Sequence, residues 1–279
     1  MKLVARGRTI EFPRRPLIMG IVNLSADSFS GDGVTDVESA LAKARELVSE
    51  GAEIIDIGAE SARTNRSAIS ETEESAHLVS FIERWDDSTL LSINTWRPVV
   101  ARAALRAGGH ILNDLSALPT DENARICAET GAALLIMHSV GQPKVPHTHV
   151  GYDDVMARLD EFFAEKIALA EAAGVPRDAI VLDPGIDFAK QREDNLRIFR
   201  ELDRLAKFER PILLPVSRKT VIGEVLGIPE PAQRDAGTVA CIVQGMLHGA
   251  HIFRVHNVRA AAQTVRMIEA VEAAEKSVE

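Results

Sequence analysis

The sequence predicts a single (β/α)8 barrel of the TIM type, with residues 1–279 forming one domain. Three observations lead there. Short β-branched runs, apolar on both faces, alternate eight times with amphipathic helical segments, as a parallel sheet covered by helices requires. No composition break or linker interrupts the alternation, and the length is ordinary for one such barrel. Polar residues suited to chemistry fall at the ends of the apolar runs, where this fold carries its sites. An open doubly wound sheet is the competing arrangement, but no GxGxxG follows the first strand.

The elements follow in order. Residues 1–15 read as a short strand or arm that plugs one end of the barrel. Residues 17–24 form an apolar strand that delivers Asn23 to its end, and a polar loop of serines, aspartates and glycines follows as far as Gly33. In 36–50, Val37, Leu41, Ala44, Leu47 and Val48 recur at helical spacing, and Gly51 is placed to end the helix in a left-handed conformation. Strands are predicted at 53–58, 90–95, 110–114, 133–138, 179–185, 212–217 and 251–256. Helices are predicted at 71–85, 98–107, 121–130, 153–173, 194–205, 234–248 and 258–276, with a short extra one at 218–226. Pro98 suits a first helical turn, and Gly131, Gly174 and Gly249 suit helix stops. On the last helix Ala260, Ala261, Val265, Ile268, Val271 and Ala274 form an apolar stripe suited first to packing on the barrel, and second to a partner.

Composition narrows the function. The net charge is −9 and the sequence pI about 5.5, with Lys and Arg scattered, which argues against a nucleic-acid-tracking face. A hydrophobic content of 46% is enough for a large core, yet no apolar run is long enough to span a membrane. The early arginines and prolines break any leader-like pattern. Cys127 and Cys241, far apart in sequence, read as buried free thiols in a reducing compartment. The expectation is a cytoplasmic protein with small-molecule partners, without nucleic acid or membrane.

Asn23, Asp56, Asn94, Asn113, Asp114, His138, Asp183, Ser217, Lys219, Arg254 and His256 all lie in or just after a strand end. Two chemistries separate. Asn94, Asn113, Asp183 and Lys219 suit a flat nitrogen heterocycle, with Asp183 able to accept two donors from an amidine-like edge. Arg63, Arg254 and His256 offer cationic or hydrogen-donating groups to phosphate. Asn23 offers a neutral oxygen to a hard cation that keeps waters and phosphate oxygens. His138, His147 and His149 surround a proline-containing loop, but no fourth ligand stands at a zinc-site spacing, so zinc is a minor alternative.

The motifs, taken in order, resemble the dihydropteroate synthase family. They are IMGIVNLSADSFSGDG at 18–33, IIDIGAES at 54–61, LSINT at 91–95, LND at 112–114, MHSVGQP at 137–143, LDPGIDFAK at 182–190, SRKT at 217–220 and FRVHNV at 253–258. The resemblance implies a barrel that joins 6-hydroxymethyl-7,8-dihydropterin pyrophosphate to p-aminobenzoate, giving 7,8-dihydropteroate and pyrophosphate. It implies that Asp183, Asn113 and Lys219 bind the pterin, with Met137, Phe188 and Asn94 beside it. It assigns Arg63, Arg254 and His256 to the pyrophosphate, with Asn23 acting through Mg2+. Ser217, Phe188 and the loop at 61–65 would border the aminobenzoate, and Asp27 lies in the loop that would close over the reacting centre. Asp27, Lys219 and Arg63 are thus the expected catalytic set. A homodimer is also implied.

The chain departs from the family pattern at several points. Asn94 stands where Asp is usual, Asn257 where Asp is common, and Asp187 and Ala189 where glycines are usual. Ser25 and Ala26 replace Thr-Pro in the first loop. Ala59, Ala62 and Thr64 alter the second loop beside Arg63, which leads to an expectation of reduced sulfonamide sensitivity. The departures also keep open a relative that binds a pterin or phosphate ester without making dihydropteroate, or a pterin-binding methyl-transfer module. Asp187 and Ala189 are expected to put new bulk and charge near the pterin pocket.

Overall fold

A computed structural model describes the chain except residues 13–14, 25–32, 34–35, 61–68, 87–88, 146–149 and 276–279. It begins with an antiparallel hairpin, β1 (Lys2–Ala5) and β2 (Arg8–Glu11), paired Lys2 to Glu11 through Ala5 to Arg8. Leu3 and Ala5 are buried, and the Arg6 N–H donates to Gly131 O at 2.7 Å, just ahead of a barrel strand. The Phe12 ring meets His251 edge-on at 5.0 Å. The hairpin therefore covers the end of the barrel where strands begin, as the sequence suggests.

The barrel strands are β3 (Leu17–Asn23), β4 (Ile54–Gly58), β5 (Leu90–Asn94), β6 (Ile111–Asp114), β7 (Ala133–Met137), β8 (Ile180–Asp183), β9 (Leu213–Pro215) and β10 (Ile252–Val255). The parallel order β8-β7-β6-β5-β4-β3-β10-β9 is closed by a bridge from Leu182 to Ile212. Closure removes the exposed edges that an open sheet would leave. Around the ring lie α1 (Val37–Glu50), α2 (Glu71–Arg84), α3 (Pro98–Ala107), α4 (Glu122–Thr130), α5 (Val155–Ala172), α6 (Arg192–Arg200), α7 (Thr220–Leu226), α8 (Asp235–Leu247) and α9 (Val258–Glu275). Capping follows the local sequence. Asp36 accepts from the Ser39 N–H at 2.9 Å to open α1, and Gly51, at φ 115°, ends it.

Burial on both strand faces explains the apolar runs. Ile54, Ile55 and Ile57 of β4 are all inaccessible, each worth about 1.5–3 kcal/mol relative to exposure. Asp56, equally inaccessible, sits among them, and a carboxylate there is tolerated only if its lone pairs are satisfied. At Gly185, φ is 69° and a Cβ would meet His138 O at 2.0 Å, so no other residue fits where β7 and β8 end together.

Some element bounds differ from the sequence reading. The helix expected over 194–205 is α6 followed by a 3-10 turn at Leu202–Phe208, because Leu202 and Leu205 are both buried at a three-residue spacing. The extra helix expected from 218 starts at Thr220, since Arg218 is held at φ 56° and Lys219 is the cap. On α9, Ala261 and Val265 pack inward, while Val271 and Ala274 are exposed. Cys127 is buried, Cys241 only half-buried, and both are free thiols.

Candidate active site

At the C-terminal ends of the strands, one carboxylate organises the interior. Asp56 Oδ1 accepts from Ser92 Oγ at 2.6 Å and from Asn113 Nδ2 at 3.1 Å. Asp56 Oδ2 accepts from Asn94 Nδ2 at 3.3 Å and from Arg254 Nε at 2.7 Å. Four donors from β5, β6 and β10 thus converge on one buried anion. The pattern fixes both amides, since each must aim its NH2 at the carboxylate. Asn113 Oδ1 is left buried without a partner, an acceptor suited to a ligand N–H. A residue at 94 with an NH2 group can join this network; a second carboxylate there would face Asp56 directly.

Asp183 ends β8 beside Met137 in the parallel register. Its Oδ1 accepts from the Gly185 N–H at 2.7 Å. Burial pushes its pKa up to about 6, while the Gly185 bond and then the charges of Lys219, Lys190 and Arg254 pull it back. Three cations therefore stand within electrostatic reach of Asp183. Lys219 Nζ donates to Ile186 O at 2.8 Å and lies 5.0 Å from the centre of the Phe188 ring. Met137 is buried, and Phe188 is half-buried on the segment that holds the lysine.

Ser217 and His256 form a pair. Ser217 Oγ accepts from the His256 backbone N–H at 3.0 Å and lies 2.7 Å from His256 Nδ1. One hydroxyl thus engages both the backbone N–H and the ring of His256. Burial, followed by the charge of Arg254, lowers the His256 pKa to about 3. His256 is therefore a neutral imidazole rather than a cation. Asn257 donates to Asp235 Oδ2 at 3.0 Å and accepts from the Ala260 N–H at 3.0 Å, so it opens α9.

Asn23 stands half-buried at the end of β3, opposite Gly58 in the register. Asp27 and Arg63 lie outside the described residues, as do Ser61, Ala62, Thr64, Asn65, His147 and His149. The flanks of the second loop are described. Arg97 Nη2 pairs with Glu60 Oε2 at 2.8 Å, while Arg97 Nη1 donates to Ile69 O and Glu74 Oε2, both at 2.9 Å. One guanidinium thus joins Glu60 to Ile69 and Glu74. No group of three or more His, Cys, Asp or Glu suited to a metal occurs among the described residues.

A family model for pterin binding enzymes matches residues 19–256. The dihydropteroate synthase of Escherichia coli (strain K12) is 35% identical over 280 residues, covering 99% of this chain and 99% of its own length. The chain belongs to the dihydropteroate synthase family. The Bacillus subtilis (strain 168) dihydropteroate synthase is 35% identical over 266 residues, covering 94% of this chain and 90% of its own. In fold, the chain is similar to Yersinia pestis dihydropteroate synthase solved as a sulfonamide drug complex, with TM-score 0.90, 38% identity and coverage of 98% and 100%. It is similar also to Xanthomonas albilineans dihydropteroate synthase solved with 4-aminobenzoic acid, with TM-score 0.88, 36% identity and 98% coverage of both chains.

Within this family frame, three residues carry more of the site than the sequence reading gives them. Asp56 is noted there as a strand-end polar residue, without a role; the signal was a carboxylate in the middle of an otherwise apolar strand. Lys190 Nζ lies 2.8 Å from His138 Nδ1 and donates to Phe188 O at 3.0 Å. Burial lowers its pKa to about 7 although Asp183 opposes the shift. His138 is thereby engaged with Lys190 and packed edge-on against Phe162 at 4.7 Å. The third is Asp187. Its carboxylate accepts from the Thr220 N–H and, at 3.2 Å, from the Val221 N–H. The charge that Asp187 adds is turned onto the start of α7.

Proposed function

We propose that this chain is a dihydropteroate synthase, a transferase of folate biosynthesis that joins 6-hydroxymethyl-7,8-dihydropterin pyrophosphate to p-aminobenzoate. The observation that carries this reading is the sharing of Asp56 by Asn94, Asn113 and Arg254. It brings two amides and a guanidinium together at one end of one barrel, which supports a site for a heterocycle carrying a phosphate group. Asp183 accepts from the amino-pyrimidine edge of the pterin, and Asn113 Oδ1 accepts from a ring N–H. Lys219 meets a ring nitrogen or carbonyl, with Met137, Phe188 and Asn94 beside the heterocycle. Arg254 and neutral His256 bind the pyrophosphate, together with Arg63. Ser217 holds His256 and borders the aminobenzoate, and Asp27 completes the proposed catalytic set with Lys219 and Arg63.

The bond from the exocyclic carbon to the pyrophosphate oxygen breaks, and the pterin ring delocalises the positive charge left behind. The arylamine nitrogen then bonds to that carbon and loses a proton. The protein's part is to receive the departing negative charge and to keep water from the cation. An arylamine is already a competent nucleophile, so no activating base is assigned.

A neutral amide oxygen at a strand end fits a cation that keeps most of its waters and shares phosphate oxygens. Asn23 is the residue that would hold Mg2+, which when bound supplies charge neutralisation to the pyrophosphate. Val225, Leu226, Leu247, Met267 and Val271 are exposed along α7, α8 and α9, which supports a homodimer formed on that side. The acidic surface and scattered bases favour small-molecule partners over nucleic acid. No helix among the described residues is long and apolar enough to cross a membrane, and a cytoplasmic location is part of this reading.

The test is pyrophosphate release with both substrates, followed by detection of dihydropteroate. Product formed only when both are present supports the synthase. Binding of the pterin pyrophosphate with no product after addition of p-aminobenzoate would identify a pterin-binding relative that does not catalyse the condensation.

A further inference from the structure

We infer that Asp187 is a positioning residue that sets where the Lys219 ammonium stands, a role resting on the reading of Lys219 as a pterin contact. Two segments are tied face to face. Lys219 Nζ donates to Ile186 O at 2.8 Å, and the N–H groups of the next two residues, Thr220 and Val221, donate to the Asp187 carboxylate. Lys219 is itself the cap of α7 and has no capping bond from its own side chain. Asp187 replaces the missing cap from a different loop, so the lysine's backbone is fixed from outside its own helix.

The anchor is in turn held. The Asp187 N–H donates to Asn195 Oδ1 at 2.9 Å, and Asn195 Nδ2 donates to Gln191 O at 3.0 Å. Asn195 is only 2% exposed, so this support from α6 is rigid. Asp187 adopts φ 67°, a conformation that glycine takes freely and other residues take at a cost. A strained backbone held by two helices, α6 and α7, is a means of fixing geometry. The strain lies between Ile186, which receives the Lys219 ammonium, and Phe188, whose ring lies beside it. Removing the carboxylate frees the start of α7 and lets the ammonium move relative to both.

The test is a double-mutant cycle read by calorimetric affinity for the pterin pyrophosphate. Asp187→Gly relieves the strained φ while losing the cap, so its melting temperature should stay near that of the wild type. Its Kd should rise about fivefold, the usual worth of one cap. Asp187→Asn, which keeps one acceptor and tolerates φ 67°, should recover part of that loss. On a Lys219→Met background, Asp187→Gly should change Kd by less than about twofold, because its effect runs through the ammonium. An unchanged Kd in Asp187→Gly with Lys219 present overturns the inference. So does an equal rise with and without Lys219. An unchanged Kd in Lys219→Met alone overturns the underlying pterin reading, and is told apart by that single variant.

Discussion

Asp56 Oδ2 accepts from Arg254 Nε at 2.7 Å across the barrel interior, joining β4 to β10. The pair couples two halves of the site. Arg254 is held by its Nε–H, a bond that does not use the Nη groups of the guanidinium. The same carboxylate holds the amides of Asn94 and Asn113, so both amides and the guanidinium share one acceptor.

Asp56→Asn should damage both halves at once. An amide offers one acceptor oxygen to four donors, and its own hydrogens point at donors. The expected loss is about 2–4 kcal/mol of stability and at least about 100-fold in pyrophosphate release. Urea unfolding and steady-state kinetics on the same preparation check this. Wild-type turnover in a folded variant would show that the network does not serve the reaction.

Asn94→Asp should make stability depend more on pH. Asn94 Nδ2 is 3.3 Å from Asp56 Oδ2, so the variant would set two carboxylates against each other. Like charges at that distance raise the pKa of one member. A raised folded-state pKa gives stability that is present at low pH and lost as pH rises through it. The melting temperature should thus fall further below wild type at pH 8 than at pH 5. Parallel curves would mean that the new carboxylate turns away.

Asp183 carries a stability cost in its ionised form. Its folded pKa of about 6 lies above the usual 3.8, so its stability contribution is full below about pH 4 and declines as pH rises to about 6. Asp183→Asn keeps the acceptor for the Gly185 N–H and removes the charge. The variant should be more stable than wild type at pH 7.5, by up to about 3 kcal/mol, with the difference vanishing near pH 4. Its kcat/KM for the pterin substrate should fall by about 30-fold or more. Melting curves across pH, compared with kinetics, decide it. An equal difference at both pH values would mean that ionisation of Asp183 is not the cause.

Magnesium should tighten binding of the pterin pyrophosphate, and Asn23→Ala should weaken that effect. Calorimetry with magnesium and with a chelator gives the comparison. Equal affinity in both conditions would remove the metal from the proposed site.

The second loop should set discrimination between sulfonamides and p-aminobenzoate. Thr64→Pro narrows the backbone ensemble beside Arg63, and Ala62→Thr restores a hydroxyl. The ratio of the sulfonamide inhibition constant to the aminobenzoate KM should fall in the double variant. An unchanged ratio would exclude Ala62 and Thr64 as its source.

The barrel, its strand order in the chain and the strand-end location of Asn94, Asn113, Asp183, Ser217, Arg254 and His256 follow from the sequence, because they rest on local periodicity. A strand buried on both faces must be apolar throughout, and any polar residue at its end is set at the site by the chain itself. What those residues do to one another is a matter of distance between strands remote in sequence. Asp56 and Arg254 are 198 positions apart, and only barrel closure makes one the partner of the other. The neutrality of His256 depends on burial beside Arg254, which no local pattern encodes. Asp187 shows the limit most directly. Its identity announced a new charge near the site, but the direction of that charge was decided by two N–H groups of α7, 33 and 34 positions further along, for which it was the available acceptor.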